Sequence, residues 1–333
     1  MSRMIYLLIS CLLLACCGQK NATKGEDAKS FSVVDKISEK SVETPVFDAD
    51  SAYSYVARQV AFGPRVPNTD AHKACAAYLT SELERHGAKL FVQEAKLKAY
   101  NGDMLSAQNI IGSFNPEKTR RVLLFAHWDS RPYADHDEDP ANHHKPIDGA
   151  DDGASGVGVL LEIARQLGMK RPEIGVDIIF FDAEDYGIPY FSDYYDPNSF
   201  ALGSQFWAKN PHVPNYKAEY GILLDMVGAK GATFYKEMTS VRYANQYVEK
   251  VWMTARELGY GKFFINANGG AITDDHTYVI EGRRIPCIDI INYDRDNNTG
   301  FGAYWHTLND NMDIISKETL KAVGQTVIHT IFN

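Results

Sequence analysis

The sequence predicts an α/β fold: a doubly wound, mainly parallel twisted sheet with helices on both faces, in one domain. Three observations predict it. Apolar runs at residues 122–126, 176–181, 220–224 and 285–291 are near-continuous rather than alternating, which marks strands buried on both faces of a parallel sheet. Segments with apolar residues at helical spacing separate these runs, as crossover connections require. Histidines and acids stand at the ends of the runs, where open α/β sheets bind their ligands.

Each element follows in order. Residues 48–62 suit a helix broken by Gly63-Pro64. Residues 70–86 suit a second, with Ala71, Cys75, Tyr78, Leu79 and Leu83 on one face and Gly87 as its stop. Two strands, 90–97 and 106–114, flank the turn residues Asn101-Gly102. The run 122–126 ends in His127-Trp128-Asp129. The polar loop 130–149 that follows carries His136, His143 and His144, expected to be solvated. In GADDGASGVGVLLEIARQLG, Asp152 and Gly153 precede an apolar helix, 157–167, capped by Gly168; Asp152 also has a plain reading as its N-cap. The central strand 176–181 is interrupted by Asp177 and runs into Asp182, Glu184 and Asp185. After it come an aromatic insertion (188–200), a helix (201–209), a strand (220–224) ending in Asp225 and a helix (241–258). The stretch GGAITDDHTY reads as loop, 285–291 as a strand containing Asp289, and 317–332 as the last helix, after YWHTLNDN.

Composition narrows the function. With 333 residues the chain is long enough for one large core, and a net charge of −9 argues against a nucleic-acid surface. Arg3 and a short apolar stretch at 5–14, too short to span a bilayer, form a signal segment. Leu13-Leu14-Ala15-Cys16 resembles a bacterial lipoprotein lipobox, which implies cleavage before Cys16 and its acylation; a plain secretory signal is the alternative. The expected organisation is a signal peptide at 1–15, a polar tether at 16–45 and a catalytic domain at 46–333. The expected location is lipid-anchored on a periplasm-facing membrane. Only Cys75 and Cys287 fall in the folded part; both read as buried small hydrophobes, with a disulfide between them left open.

The chemistry lies in where the acids and histidines fall. A lone Glu-Asp pair is more often a solvated turn than a site, although adjacent buried carboxylates repel unless a metal or a shared proton holds them. Here His127 and Asp129 follow one strand, Glu184 and Asp185 another, and Asp225 ends a third. Asp152 opens the helix after the first of these strands, and His306 lies before the last helix. A plain structural reading serves for any one of them, but not for all together at one end of a sheet. Histidine and carboxylate without cysteine suit a catalytic zinc, and Asp129 is placed to orient the His127 imidazole.

AHWDS, GADDGASG, FFDAEDYG, LLDMVG and WHTLNDN, in that order, resemble the zinc aminopeptidase-like metallopeptidase superfamily. That resemblance implies Glu184 as general base, with Asp152, Asp185 and His306 on one zinc. It gives His127 and Asp225 the positions that hold a second metal in two-metal aminopeptidases. Within the superfamily the chain is similar to the animal-type glutaminyl-peptide cyclotransferases, or glutaminyl cyclases. Trp305 precedes His306, an aromatic-rich insertion follows Asp185, and the stretch from Gly269-Gly270 to Pro286 matches the cyclases' loop and strand. This implies Asp274 as a catalytic partner hydrogen-bonded to Asp225, and a substrate pocket of Trp305, Tyr190, Tyr194 and Asp289. Asp289 departs from the pattern, since animal cyclases carry a histidine there, and the insertion lacks their tryptophan.

The implied activity is conversion of N-terminal Gln of peptides and proteins to pyroglutamate with release of ammonia. It comes with one zinc per chain, or two on the alternative reading as a zinc aminopeptidase. A metal-free binding module on the same fold is the reading from another class, and the intact base and ligand set argues against it. The partners expected are Gln-peptides and a membrane, not nucleic acid, and the chain is expected to be a monomer.

Overall fold

The apolar runs become strands whose alternate residues feed two separate cores. A computed structural model describes residues 43–333; the signal segment, Cys16 and nearly all of the 16–45 tether lie outside the described residues. The main sheet contains β1 (Lys89–Lys98), β2 (Met104–Phe114), β3 (Arg121–His127), β4 (Gly175–Phe181), β5 (Gly221–Asp225) and β8 (Cys287–Ile291), in the order β1-β2-β4-β3-β5-β8. β4, β3, β5 and β8 run parallel to one another, while β2 pairs antiparallel with both β1 and β4. Because β4 lies on one side of β3 and β5 on the other, the strand order reverses at β3, where doubly wound sheets open a crevice beyond their carboxyl ends.

On β3, Val122, Leu124 and Ala126 face one core, while Leu123 and Phe125 face the other. The larger core is covered by α1 (Ala49–Val60), α2 (Asp70–Arg85), α3 (Ala154–Met169), α5 (Met238–Glu257) and α7 (Lys317–Phe332). The smaller one is covered by α4 (Leu202–Lys209) and α6 (Asp275–Arg283). α3 is buried from Ala154 almost to its end, which matches its mostly apolar sequence, and its polar residues Glu162, Arg165 and Gln166 share one face and bond to one another. Asp177, the polar interruption in β4, points to the smaller core. There Arg121 grips it through Nε (2.7 Å) and Nη2 (2.6 Å), and the Tyr216 hydroxyl donates to it at 2.7 Å.

Four expectations are corrected. α3 begins at Ala154 and continues through Gly168 to Met169. Gly168 is needed because a Cβ there would meet the His86 carbonyl oxygen at 2.5 Å, not because it caps the helix. Asp152 caps nothing, since the N-cap residue is Gly153. The stretch read as loop begins α6 at Asp275, and Asp274 closes a capping box with Thr277. A second small sheet, β6 (Phe234–Lys236) beside β7 (Phe264–Asn268), had no counterpart in the sequence reading. Cys75 and Cys287 are buried and free, as small hydrophobes would be.

Candidate active site

The strand ends deliver their polar residues to one place. Asp152 is central: its Oδ1 lies 3.0 Å from His127 Nε2 and its Oδ2 3.6 Å from His306 Nε2. His306 Nε2 is also 3.3 Å from Asp185 Oδ1, and His127 Nε2 is 3.2 Å from Asp225 Oδ1. All five side chains are buried. They form two donor sets that share Asp152, namely Asp152, Asp185 and His306, and His127, Asp152 and Asp225. In each set the donor atoms lie within 4.8 Å of one another.

The first set fits zinc. Two carboxylates and one imidazole, without sulfur, are a catalytic zinc's donors and leave a position open. Asp185 Oδ2 is buried with no hydrogen-bond partner among the described residues, an arrangement that is costly unless a cation faces it. Burial, and then the neighbouring Asp152 charge, push the Asp185 carboxyl upward; a dication between the two reverses that repulsion.

Other residues hold these donors in place. Asp129 does so differently from expectation: its carboxylate accepts the Glu184 and Asp185 amides, at 3.0 and 3.1 Å. Its distance to His127 Nδ1 is 3.6 Å, so it fixes the turn after β4 more firmly than it fixes the imidazole. Gly153 must be glycine. Its φ is 93°, and a Cβ would meet the Asp129 carbonyl oxygen at 2.6 Å and the His127 ring at 3.1 Å. Ala183, Met226 and His306 are non-glycine residues with φ of 53°, 49° and 54°. Left-handed backbone thus sits just before Glu184, just after Asp225 and at His306 itself, the kind of strain that gathers at functional sites.

Several contributors escaped the sequence reading. Asp310 accepts the Asp151 and Asp152 amides at 2.7 and 3.1 Å. Asp151 in turn accepts the Gly228 amide at 2.6 Å and the Tyr304 hydroxyl. These bonds cross-tie the loops bearing Asp152, Asp225 and His306. Buried Arg131 pairs through two nitrogens with Asp135, and its Nη1 donates to the Asp185 carbonyl at 3.0 Å. Asp135 Oδ1 is 3.4 Å from His306 Nδ1, the place of a carboxylate that orients a ligand histidine. Burial alone would raise the Asp135 carboxyl, but Arg131 and His306 hold it well below the usual range. The only sequence signal was the Arg131–Asp135 spacing, which has no helical pattern around it. Asp135→Asn is expected to weaken zinc affinity by about 10–100-fold, read by competition with a chelator.

A cavity of about 790 Å³ opens over this centre. Asp152, Asp185 and His306 line it together with Glu184, Asp225, Asp274 and Trp305. The Trp305 ring stacks on His306 with centroids 3.7 Å apart, and half-buried His136 packs against Trp305 at 4.4 Å and Tyr190 at 4.8 Å. Of the loop histidines expected in solvent, His136 is therefore part of the wall. Tyr190 and Tyr194 line the cavity too, but at 75% and 63% exposure they form its rim.

One further expectation changes. Asp289 is not a pocket residue: it is wholly buried in β8, off the cavity lining, with its carboxyl 3.9 Å from His276 Nδ1. Asp225 pairs with His127, and burial together with the nearby Asp152 and Asp274 charges raises its carboxyl to about 8. Asp274 faces the cavity while its carboxylate accepts the Asp275 amide.

Comparison with known proteins now adds to this geometry. Residues 109–331 match the model of peptidase family M28. A crystal structure of Tannerella forsythia glutaminyl cyclase is 73% identical, with a TM-score of 0.86, over 87% of this chain and 99% of that one. A structure of a Zn-dependent exopeptidase from Parabacteroides distasonis is 70% identical, with a TM-score of 0.87 and the same coverage. The bovine glutaminyl-peptide cyclotransferase is 28% identical over 244 residues, 65% of this chain and 63% of the bovine one. The chain belongs to peptidase family M28, among its glutaminyl cyclases.

Proposed function

We propose that the protein is a zinc-dependent glutaminyl-peptide cyclotransferase acting on peptides and proteins that begin with Gln. The observation that carries this reading is the cavity, in which a zinc-type donor set, the carboxyls of Glu184 and Asp274 and a tryptophan stacked on a ligand histidine converge beneath an aromatic rim. The similarity to the Tannerella and bovine enzymes supports it.

Cyclisation joins the substrate's α-amine nitrogen to its γ-carbon and breaks the bond to the amide nitrogen. One proton passes from the amine to the departing nitrogen, which leaves as ammonia. Asp152, Asp185 and His306 would hold zinc, whose chemistry there is polarisation of the γ-carbonyl and stabilisation of charge on its oxygen. Glu184 moves the proton. Burial, opposed by His127 and reinforced by Asp274, Asp185 and Asp275, holds its carboxyl well above the ordinary range. A nearby dication offsets part of that rise. Asp274 accepts a hydrogen bond from the departing nitrogen, and Trp305 with Tyr190 and Tyr194 confines the side chain in its folded-back form.

A two-zinc aminopeptidase is the second reading, favoured by the His127–Asp152–Asp225 donor set. We hold to one zinc, because cyclisation has no use for water activated between two ions. Incubation with a Gln-peptide and a Leu-peptide separates the readings. Ammonia without chain shortening is the expected result, and free amino acid from the Leu-peptide would overturn the cyclase assignment. The rate should rise from pH 6 towards about 8, because an α-amine titrates near ~7.7–8.0 and attacks only when neutral. A maximum near pH 5 would rule out direct attack by the free amine.

In this proposal the enzyme works as a monomer tethered through Cys16 to a periplasm-facing membrane. Cys16→Ser is expected to leave the protein soluble or unprocessed; membrane association unchanged by that substitution would reject the anchor.

A further inference from the structure

The cavity wall at residues 270–274 is a connecting segment, yet it carries Asp274. One buried carboxylate holds it. Glu237, 2% exposed, is the N-cap residue of α5. Its Oε1 accepts the Thr239 amide at 2.7 Å and the Ile272 amide at 2.9 Å. Its Oε2 accepts the Ser240 amide at 2.6 Å and the Ser240 hydroxyl at 2.7 Å, and lies 3.3 Å from His276 Nε2. The same Ser240 oxygen accepts the Asp289 amide of β8 at 2.9 Å. Next to Glu237, the Met238 amide donates to the Gly270 carbonyl at 2.9 Å.

Glu237 therefore grips the chain two residues before Asp274, at Ile272, and meets it two residues after, at His276. Asp274 itself is bonded only within its own stretch, to the Asp275 amide and in the capping box with Thr277. Its position depends on where the wall is pinned, and the pin is shared with the start of α5 and, through Ser240, with β8. Burial works against a charge on Glu237, but the His276 side chain and the Ser240 donors bring it down to about 2, so it is a carboxylate with a full complement of donors around it.

We infer that Glu237 is a positioning residue for cyclisation, setting the distance between Asp274 and the reacting amide by holding residues 270–276. It contacts neither zinc donors nor the cavity, so its removal acts on turnover rather than on metal or on affinity. The inference rests on the cyclase reading.

The test compares Glu237→Ala, Glu237→Gln and Asp48→Ala in the full chain with a Gln-peptide. Asp48→Ala removes a remote N-cap, that of α1, and controls for lost stability. Glu237→Ala is expected to lower kcat by about 10–100-fold, the scale of a small misplacement of a reacting group. KM and zinc content should stay at the unmodified values. Glu237→Gln keeps an oxygen for the Thr239 and Ile272 amides and should recover part of the loss, while Asp48→Ala keeps kcat. Unchanged kcat in folded Glu237→Ala would overturn the inference, as would a fall in kcat matched by loss of zinc. If Glu237→Ala does not fold, Glu237→Gln decides: a lowered kcat at full zinc supports the role and an unchanged one rejects it. Absence of ammonia from the unmodified chain would sink the cyclase reading instead, a result distinct from any ratio between variants.

Discussion

Glu184→Gln lowers turnover of a Gln-peptide by about 10²–10⁴-fold, the range of general acid–base catalysis, while zinc content and fold stay unchanged. The substitution is nearly isosteric, and the backbone amide of residue 184 keeps its bond to Asp129. The turn that also presents Asp185 is therefore undisturbed. A carboxamide cannot take the proton from the attacking amine and give it to the departing nitrogen, so only the transfer is lost. Ammonia release, metal analysis and circular dichroism on one preparation check all three parts. Near-normal turnover at full zinc would remove Glu184 from the proton path.

Asp185→Ala has the opposite signature, with zinc lost on dialysis and activity lost with it. Its Oδ1 and the Asp152 carboxylate flank His306 Nε2, and its Oδ2 has no partner among the described residues. Removing the side chain leaves one carboxylate and one imidazole, with the Arg131 guanidinium close by at a site meant for a cation. Zinc should fall from about one equivalent per chain to a small fraction, with partial recovery of activity in excess zinc. Stoichiometric zinc retained through dialysis would take Asp185 out of the ligand set.

The sequence revealed most where one residue pattern has one physical cause. β4 and α7 were legible because a buried parallel strand and a long amphipathic helix tolerate little else, and α7 falls where expected, at Lys317–Phe332. The convergence of His127, Asp152, Asp185, Asp225 and His306 was legible because strand ends in a doubly wound sheet share one rim. α6 was not, because it starts on Asp274-Asp275-His276, buried polar residues that give no apolar periodicity to read. β6 and β7 were too short, at three and five residues, to show alternation. Asp135, Asp310 and Glu237 were invisible for another reason. A carboxylate that holds backbone amides or another side chain looks, in a sequence, like any surface acid. Asp289 misled in the reverse direction: its position in a motif suggested the pocket, but it lies wholly buried against His276, deeper than the cavity lining.

The ties that Asp151 and Asp310 make among the ligand loops consist of protein atoms alone. The scaffold of the metal centre is therefore complete once the chain has folded. Zinc is then expected to load as a separate event, onto a chain that has already folded. Occupancy then adds stability as any ligand does, by RT ln(1 + [L]/Kd), rather than deciding whether there is a fold at all. This is the reverse of small zinc modules, where the ion is the core. Stripping the ion is therefore expected to leave an inactive but intact protein that zinc alone restores, read by circular dichroism and ammonia release before and after chelation.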